Sequence, residues 1–112
     1  MSLLIELNDL PGDEAAHRFV GADHGGVPVS FFLVHAAPGV GPELHRHPYP
    51  EVFVIEAGEA SFHAADSETT AIAGQIVVVP AGAPHRFTNT GLGQLRLTAI
   101  HPADRMDTEW LQ

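Results

Sequence analysis

The chain has 112 residues, enough for one domain spanning 1–112, and its 45% hydrophobic content excludes disorder as the main state. A net charge of −9, from 14 acidic residues against 5 basic ones that are all arginine, lacks the footprint needed to grip phosphates, which excludes nucleic acid and anionic membrane as partners. With no cysteine there are no disulfides, zinc-thiolate sites or thiol nucleophiles, and His, Asp and Glu are left for metal or acid-base chemistry.

From Met1 to Leu10 there is no basic n-region, and Glu6 breaks the apolar run Leu3-Leu4-Ile5. This segment reads as neither a signal peptide nor a membrane span, so a soluble, cytoplasmic protein is expected. Eleven glycines and nine prolines then punctuate short apolar runs, the rhythm of an all-β sandwich or barrel. The predicted strands are Leu3–Leu7, Arg18–Val20, Val27–Ala36, Glu43–His47, Glu51–Ala57, Glu59–Ala65, Gln75–Val79, His85–Thr88 and Gln94–His101. Ala57-Gly58 reads as a tight hairpin and Asn89 to Gly93 as a looser one, which makes neighbouring strands mostly antiparallel. The tail from Ala103 to Gln112 reads as a short helix, with Met106 and Trp110 on one face. So many strands in so short a chain leave edges exposed, and pairing of two copies through the N-terminal strand is expected.

The chemistry concentrates between Glu43 and Phe53. On a strand, residues two apart share a face about 6.6–7 Å apart, so His45 and His47 can converge on one point that a metal ion would bridge. After the Pro48-Tyr49-Pro50 corner, Glu51 shares a strand face with Phe53 and Ile55, where a buried carboxylate needs a cation. Farther on, Pro80 to Pro84 delivers His85 on the face of Phe87. Three neutral imidazoles and one carboxylate suit a divalent first-row ion and leave positions open on an octahedral one. Such a site carries one net positive charge, so an anionic substrate oxygen binds despite the acidic exterior.

These residues resemble the cupin family. Gly39, His45, His47, Glu51 and Gly58 fall at the spacing of its first motif (39–58), and Gly74, Pro80, Gly82, His85 and Asn89 at that of its second (74–89). The resemblance implies an antiparallel double-stranded β-helix, or jelly-roll barrel, often a homodimer. It also implies a metal held by the matching His45, His47, Glu51 and His85. Family members span dioxygenases, isomerases, epimerases, decarboxylases, cyclases and non-enzymatic binding domains, so the fold does not choose among them.

The other polar residues divide by face. Arg46 and Arg86 alternate away from the ligands and read as surface charge. Tyr49 is read either as a hydrogen-bond partner for substrate or as packing against the two prolines. His35, His63 and His101 end or occupy predicted strands, so each is either solvent-facing or a partner of the ligands or a general base. Tyr49, His63 and His101 are accordingly the candidate catalytic residues. His17 and His24 read as solvated, and Phe31, Phe53, Phe62 and Phe87 as core, some of them walling a pocket mouth.

The leading expectation is an oxygenase-type enzyme acting on a small organic molecule with Fe, Mn, Ni, Zn or Co. One alternative uses the ion as a Lewis acid for isomerisation, decarboxylation or ring closure. The other is a non-catalytic module that binds or senses a small molecule. Without cysteine or lysine, crosslinked thiol dioxygenase chemistry and Schiff-base chemistry are excluded.

Overall fold

A computed structural model describes residues 3–112. It contains ten strands: β1 (Ala16–Val20), β2 (Ser30–Ala36), β3 (His45–Arg46), β4 (Glu51–Ala57), β5 (Glu59–Ala64), β6 (Ser67–Ile72), β7 (Ile76–Val79), β8 (His85–Asn89), β9 (Leu95–His101) and β10 (Glu109–Trp110). They form two five-stranded sheets, ordered β1-β2-β9-β4-β7 and β10-β3-β8-β5-β6, with every pair antiparallel. The all-β jelly-roll architecture is therefore as expected. No helix among the described residues is long and apolar enough to cross a membrane.

Strict period-2 alternation builds the interior. β4 turns Glu51, Phe53 and Ile55 inward, β8 turns in His85, Phe87 and Asn89, and β9 turns in Leu95, Leu97, Ala99 and His101. On each of these strands the titratable residue stands at one end and apolar residues fill the rest of the inward face, except for Asn89 at the far end of β8. The polar ends of three strands thus meet at one end of the barrel, above a core that includes Phe53, Ile55, Phe62, Leu95 and Leu97.

Several local expectations change. Ala57-Gly58 is not a hairpin: β4 and β5 belong to different sheets, and the turn is a sharp corner between them. Gly58 has φ 88°, and a Cβ there would come within 2.9 Å of the Gln94 carbonyl oxygen, so the corner requires glycine. The segment from Asn89 to Gly93 also crosses between sheets, closed by the buried Asn89 side chain, which donates to the carbonyls of Ala36 and Gly93 and accepts from the Gly91 N–H.

A tight hairpin instead joins β5 to β6 through Ala65, at φ 52°. β6 escapes the sequence reading because Ser-Glu-Thr-Thr is solvent-exposed and carries no hydrophobic alternation. Leu3–Leu7 is not a strand. It has no pairing partner among the described residues, and Leu3 and Leu4 are 70% and 91% exposed.

The short C-terminal helix is replaced by strand β10, in which Glu109 pairs with Arg46 and Trp110 with His45. Ten residues make a marginal helix on their own. The free edge of β3 instead offers backbone hydrogen bonds and an Arg46–Glu109 ion pair.

Leu97 is 2% exposed on β9, the strand between β2 and β4. Leu97→Ala should cost about 2–5 kcal/mol, whereas Ile76→Ala on the exposed outer face of edge strand β7 should stay within about 0.5 kcal/mol. Urea denaturation tests both, and an unchanged midpoint for Leu97→Ala would remove β9 from the core.

Candidate metal centre

His45, His47, Glu51 and His85 are all buried, and each offers a ligand atom within 4.8 Å of those of the other three. The fold assembles them from both sheets. β3 carries His45 opposite His85 of β8, His47 follows β3 directly, and Glu51 opens β4 in the facing sheet. The two closest approaches converge on one carboxylate oxygen: the Nε2 atoms of His47 and His85 lie 3.0 and 2.9 Å from Oε1 of Glu51.

The far side of each imidazole is tethered to backbone. The Nδ1–H of His45 donates to the Glu43 carbonyl at 2.7 Å, that of His47 to Asp107 at 2.8 Å, and that of His85 to Ala83 at 2.9 Å. A carbonyl oxygen only accepts, so each Nδ1 carries a proton; a ring that is neutral then turns a bare Nε2 lone pair to the centre, whereas a protonated one donates from Nε2, as the 2.9 Å hydrogen bond from His85 to Oε1 of Glu51 requires in the absence of a metal. Nitrogen donors and an anionic oxygen thus crowd together away from water, an arrangement that needs positive charge between or on them, from ring protons or from a bound cation. His47 Nε2 is accordingly a buried polar atom with no hydrogen-bond partner. This donor set fits a divalent metal ion.

The titration behaviour follows from the same crowding. Burial alone would raise the Glu51 carboxyl, but His101, His47 and His85 outweigh it and hold the carboxyl far below the usual carboxylate range. Burial lowers His45, which stays below its ordinary value. Burial also opposes charge on His47, but Glu51 and the Asp107 carbonyl overcome it and leave that ring raised.

The remaining candidates separate sharply. His101, at the end of β9, is 1% exposed, with Nε2 3.0 Å from Oε2 of Glu51. That approach lies off the line of a well-formed hydrogen bond, so Nε2 lacks a partner although it touches the carboxylate. Tyr49 stacks on His47, with ring centroids 5.3 Å apart and planes within 4°, and its hydroxyl lies 2.7 Å from His101 Nδ1. His63 is exposed on β5, because alternation gives the inward position to its neighbour Phe62. His35 bonds His17 at 2.9 Å on the β1–β2 pair, and that contact makes His17 half-buried rather than solvated. His24 stacks on Phe19, with centroids 4.6 Å apart. Arg46 and Arg86 are not among the residues facing the centre, and Arg46 pairs with Glu109.

A cavity of about 370 Å³ opens onto this cluster. Phe32, Val34, Phe53, Phe87 and Ala99 form its apolar wall, while His45, His47, Glu51 and His101 form its polar end. Thr108 and Trp110 also line it, and Trp110 packs on His45 with centroids 5.0 Å apart. Sequence reasoning missed this contribution of the C-terminal segment. Only its pairing with β3 brings it to the site, and nothing in its local pattern signals that.

A family model described as the cupin domain matches residues 32–101. Auxin-binding protein 1 of Arabidopsis thaliana is 27% identical over 116 aligned positions, covering 89% of this chain and 59% of that protein. Among solved structures, the oxalate decarboxylase of Bacillus subtilis, studied for its Mn(II) centres, superposes with a TM-score of 0.83 at 23% identity over 94% of this chain and 30% of the other. Its E162A variant superposes with a TM-score of 0.82 over the same shares at the same identity. The chain thus spans well under two-thirds of these proteins. At this identity the structural likeness establishes the fold.

Because the Glu51 carboxyl is held below its unfolded value of 4.5, its ionisation adds stability that is complete above that value and is lost as pH falls through the folded-state value. Metal-free protein should therefore weaken as pH drops below about 4.5, and Glu51→Gln should flatten that decline. Urea midpoints measured between about pH 3 and 6 test this, and identical slopes for the two proteins would contradict it.

Proposed function

The chain belongs to the cupin domain family, and from that premise we propose that it is a metal-dependent enzyme acting on a small, largely apolar organic molecule by oxygenase-type chemistry. One observation carries this reading: three members of the four-residue donor cluster, His45, His47 and Glu51, line a cavity whose remaining walls are mostly hydrophobic. His45, His47, Glu51 and His85 would hold a divalent transition ion, whether iron, manganese, nickel, zinc or cobalt. The chemistry such an ion supplies is redox and Lewis-acid activation of oxygen donors.

The protein's own groups account for recognition. Phe32, Val34, Phe53 and Phe87 bury the apolar body of the substrate and exclude water from the polar end. Trp110, 59% exposed, stands at the edge of this space and supplies a flat surface for a planar ring. A substrate with one polar, chelating end and an apolar remainder matches both parts of the cavity.

A second reading is favoured by Tyr49 and His101. A hydroxyl and an imidazole in contact beside the donor cluster suit proton transfer during isomerisation, decarboxylation or ring closure, with the ion as Lewis acid. We also propose that the protein pairs as a homodimer, with Leu3, Leu4 and Ile5, all exposed in the single chain, covered by the second copy.

Protein purified without chelators or nickel resin should contain about one transition-metal ion per chain, and His85→Ala should lose most of it. Elemental analysis reads both values. An oxygen-uptake screen with catechols, flavonols and diketones then separates the readings: consumption supports oxygenase chemistry, and conversion without consumption supports the Lewis-acid reading. A compound retained unchanged would mark a binding module. No stoichiometric metal, together with unchanged content in His85→Ala, would end the metal-dependent reading.

A further inference from the structure

Residues 107–111 supply none of the four metal donors, yet they hold two of them from outside and close one side of the cavity. The Asp107 carbonyl accepts the Nδ1–H of His47 at 2.8 Å. The Trp110 ring packs on His45, with centroids 5.0 Å apart, and Thr108 and Trp110 line the cavity. Few other contacts fasten this segment. The Asp107 N–H donates to the Tyr49 hydroxyl at 3.0 Å, β10 pairs with β3 over two residues, and the Leu111 N–H donates to the Leu44 carbonyl at 2.9 Å. The Arg46–Glu109 ion pair is roughly half exposed on both sides, where such a pair contributes little. Glu109, Trp110 and Leu111 are all exposed. An edge strand held this way opens locally, at a small fraction of the free energy of global unfolding.

We propose that residues 107–111 form a strap over the metal centre, exchanging between open and closed forms in the free protein, and that metal binding and strap closure favour each other. The link runs through the two histidines the strap touches. The His47 Nδ1–H becomes a stronger donor once Nε2 of the same ring is ligated, and its acceptor is the Asp107 carbonyl. In reverse, the closed strap fixes the ring planes of His45 and His47, so their donor atoms are aimed before an ion arrives. Coupling is reciprocal: the factor by which metal favours the closed strap equals the factor by which the closed strap tightens metal. Opening would move Thr108 and Trp110 off the cavity and admit a substrate, and closure would shield the centre from water. This inference rests on the metal-binding reading above and not on the reaction assigned to the site.

The test uses the full chain, with zinc alone as the probe. In the wild type, saturating zinc should slow hydrogen exchange at the Leu111 amide by roughly 10-fold or more. Amides of β6, which pairs only with β5, should keep their rates. Trp110 is the chain's single tryptophan, and its quenching by acrylamide should fall at the same time. Leu111→Pro removes the N–H that bonds Leu44 without touching a donor. It should make Trp110 easier to quench and weaken zinc affinity, read against a competing chelator, by the same factor as zinc slows exchange in the wild type.

An unchanged Leu111 exchange rate in zinc-saturated wild type would overturn the proposal. So would equal zinc affinity in the wild type and in Leu111→Pro with a more accessible Trp110. Should Leu111→Pro leave Trp110 quenching unchanged, Trp110→Gly takes the ring off His45 and carries the same affinity comparison, with Leu111 exchange reporting the strap. A wild type that binds no zinc would end the metal reading and this one with it, whereas zinc bound without either response ends this one alone.

Discussion

A carboxylate placed inside an apolar barrel is the constraint around which this molecule is organised. Glu51 is 3% exposed and continues a strand face that next carries Phe53 and Ile55. Removing a lone carboxylate from water costs far more than the side-chain burial around it returns. The fold meets this by bringing the imidazoles of His47 just after β3, His85 of β8 and His101 of β9 to the two oxygens. Those rings are in turn aligned by backbone carbonyls and a tyrosine hydroxyl. The charge that would be most costly in the barrel is thus also what makes the cluster attractive to a cation.

The C-terminal segment takes part in this arrangement through its backbone. Asp107 accepts from His47 Nδ1 with its carbonyl and donates to the Tyr49 hydroxyl with its N–H, so one residue aligns a donor histidine and the tyrosine that aligns His101. Three residues later, Trp110 packs on His45. Docking of a two-residue strand on an equally short β3 therefore fixes the outer wall of the cavity and the orientation of the donors together. Short strands with exposed edges are the least protected part of a sheet. Local opening of β10 would loosen the site while leaving the central β2-β9-β4 ribbon intact.

The cavity is polar at one end and hydrophobic along its length, and both properties come from the same strands. Alternation sends every second residue inward, and the position along the strand decides whether that residue is a histidine or a phenylalanine. Asp13 also lines the cavity, but among the described residues Glu51 is the carboxylate of the donor cluster.

The metal donors were legible in the sequence because their spacing is local. His45 and His47 share a face by period two, Glu51 follows one corner, and His85 follows a proline-glycine turn. The main strands were legible for the same reason, through alternating Val, Ile, Phe and Leu. Tertiary structure alone decided the rest. β6 carries a polar face toward solvent and pairs only because β5 lies beside it. The tail is a strand and not a helix because β3 presents an open edge to it. His101 and His63 occupy similar places in their strands on paper, yet one touches the carboxylate and the other faces water. Local chemistry fixed which residues can bind an ion. Which of the remaining histidines stands beside them depended on contacts between strands far apart in the chain, and those exist only once the two sheets have closed.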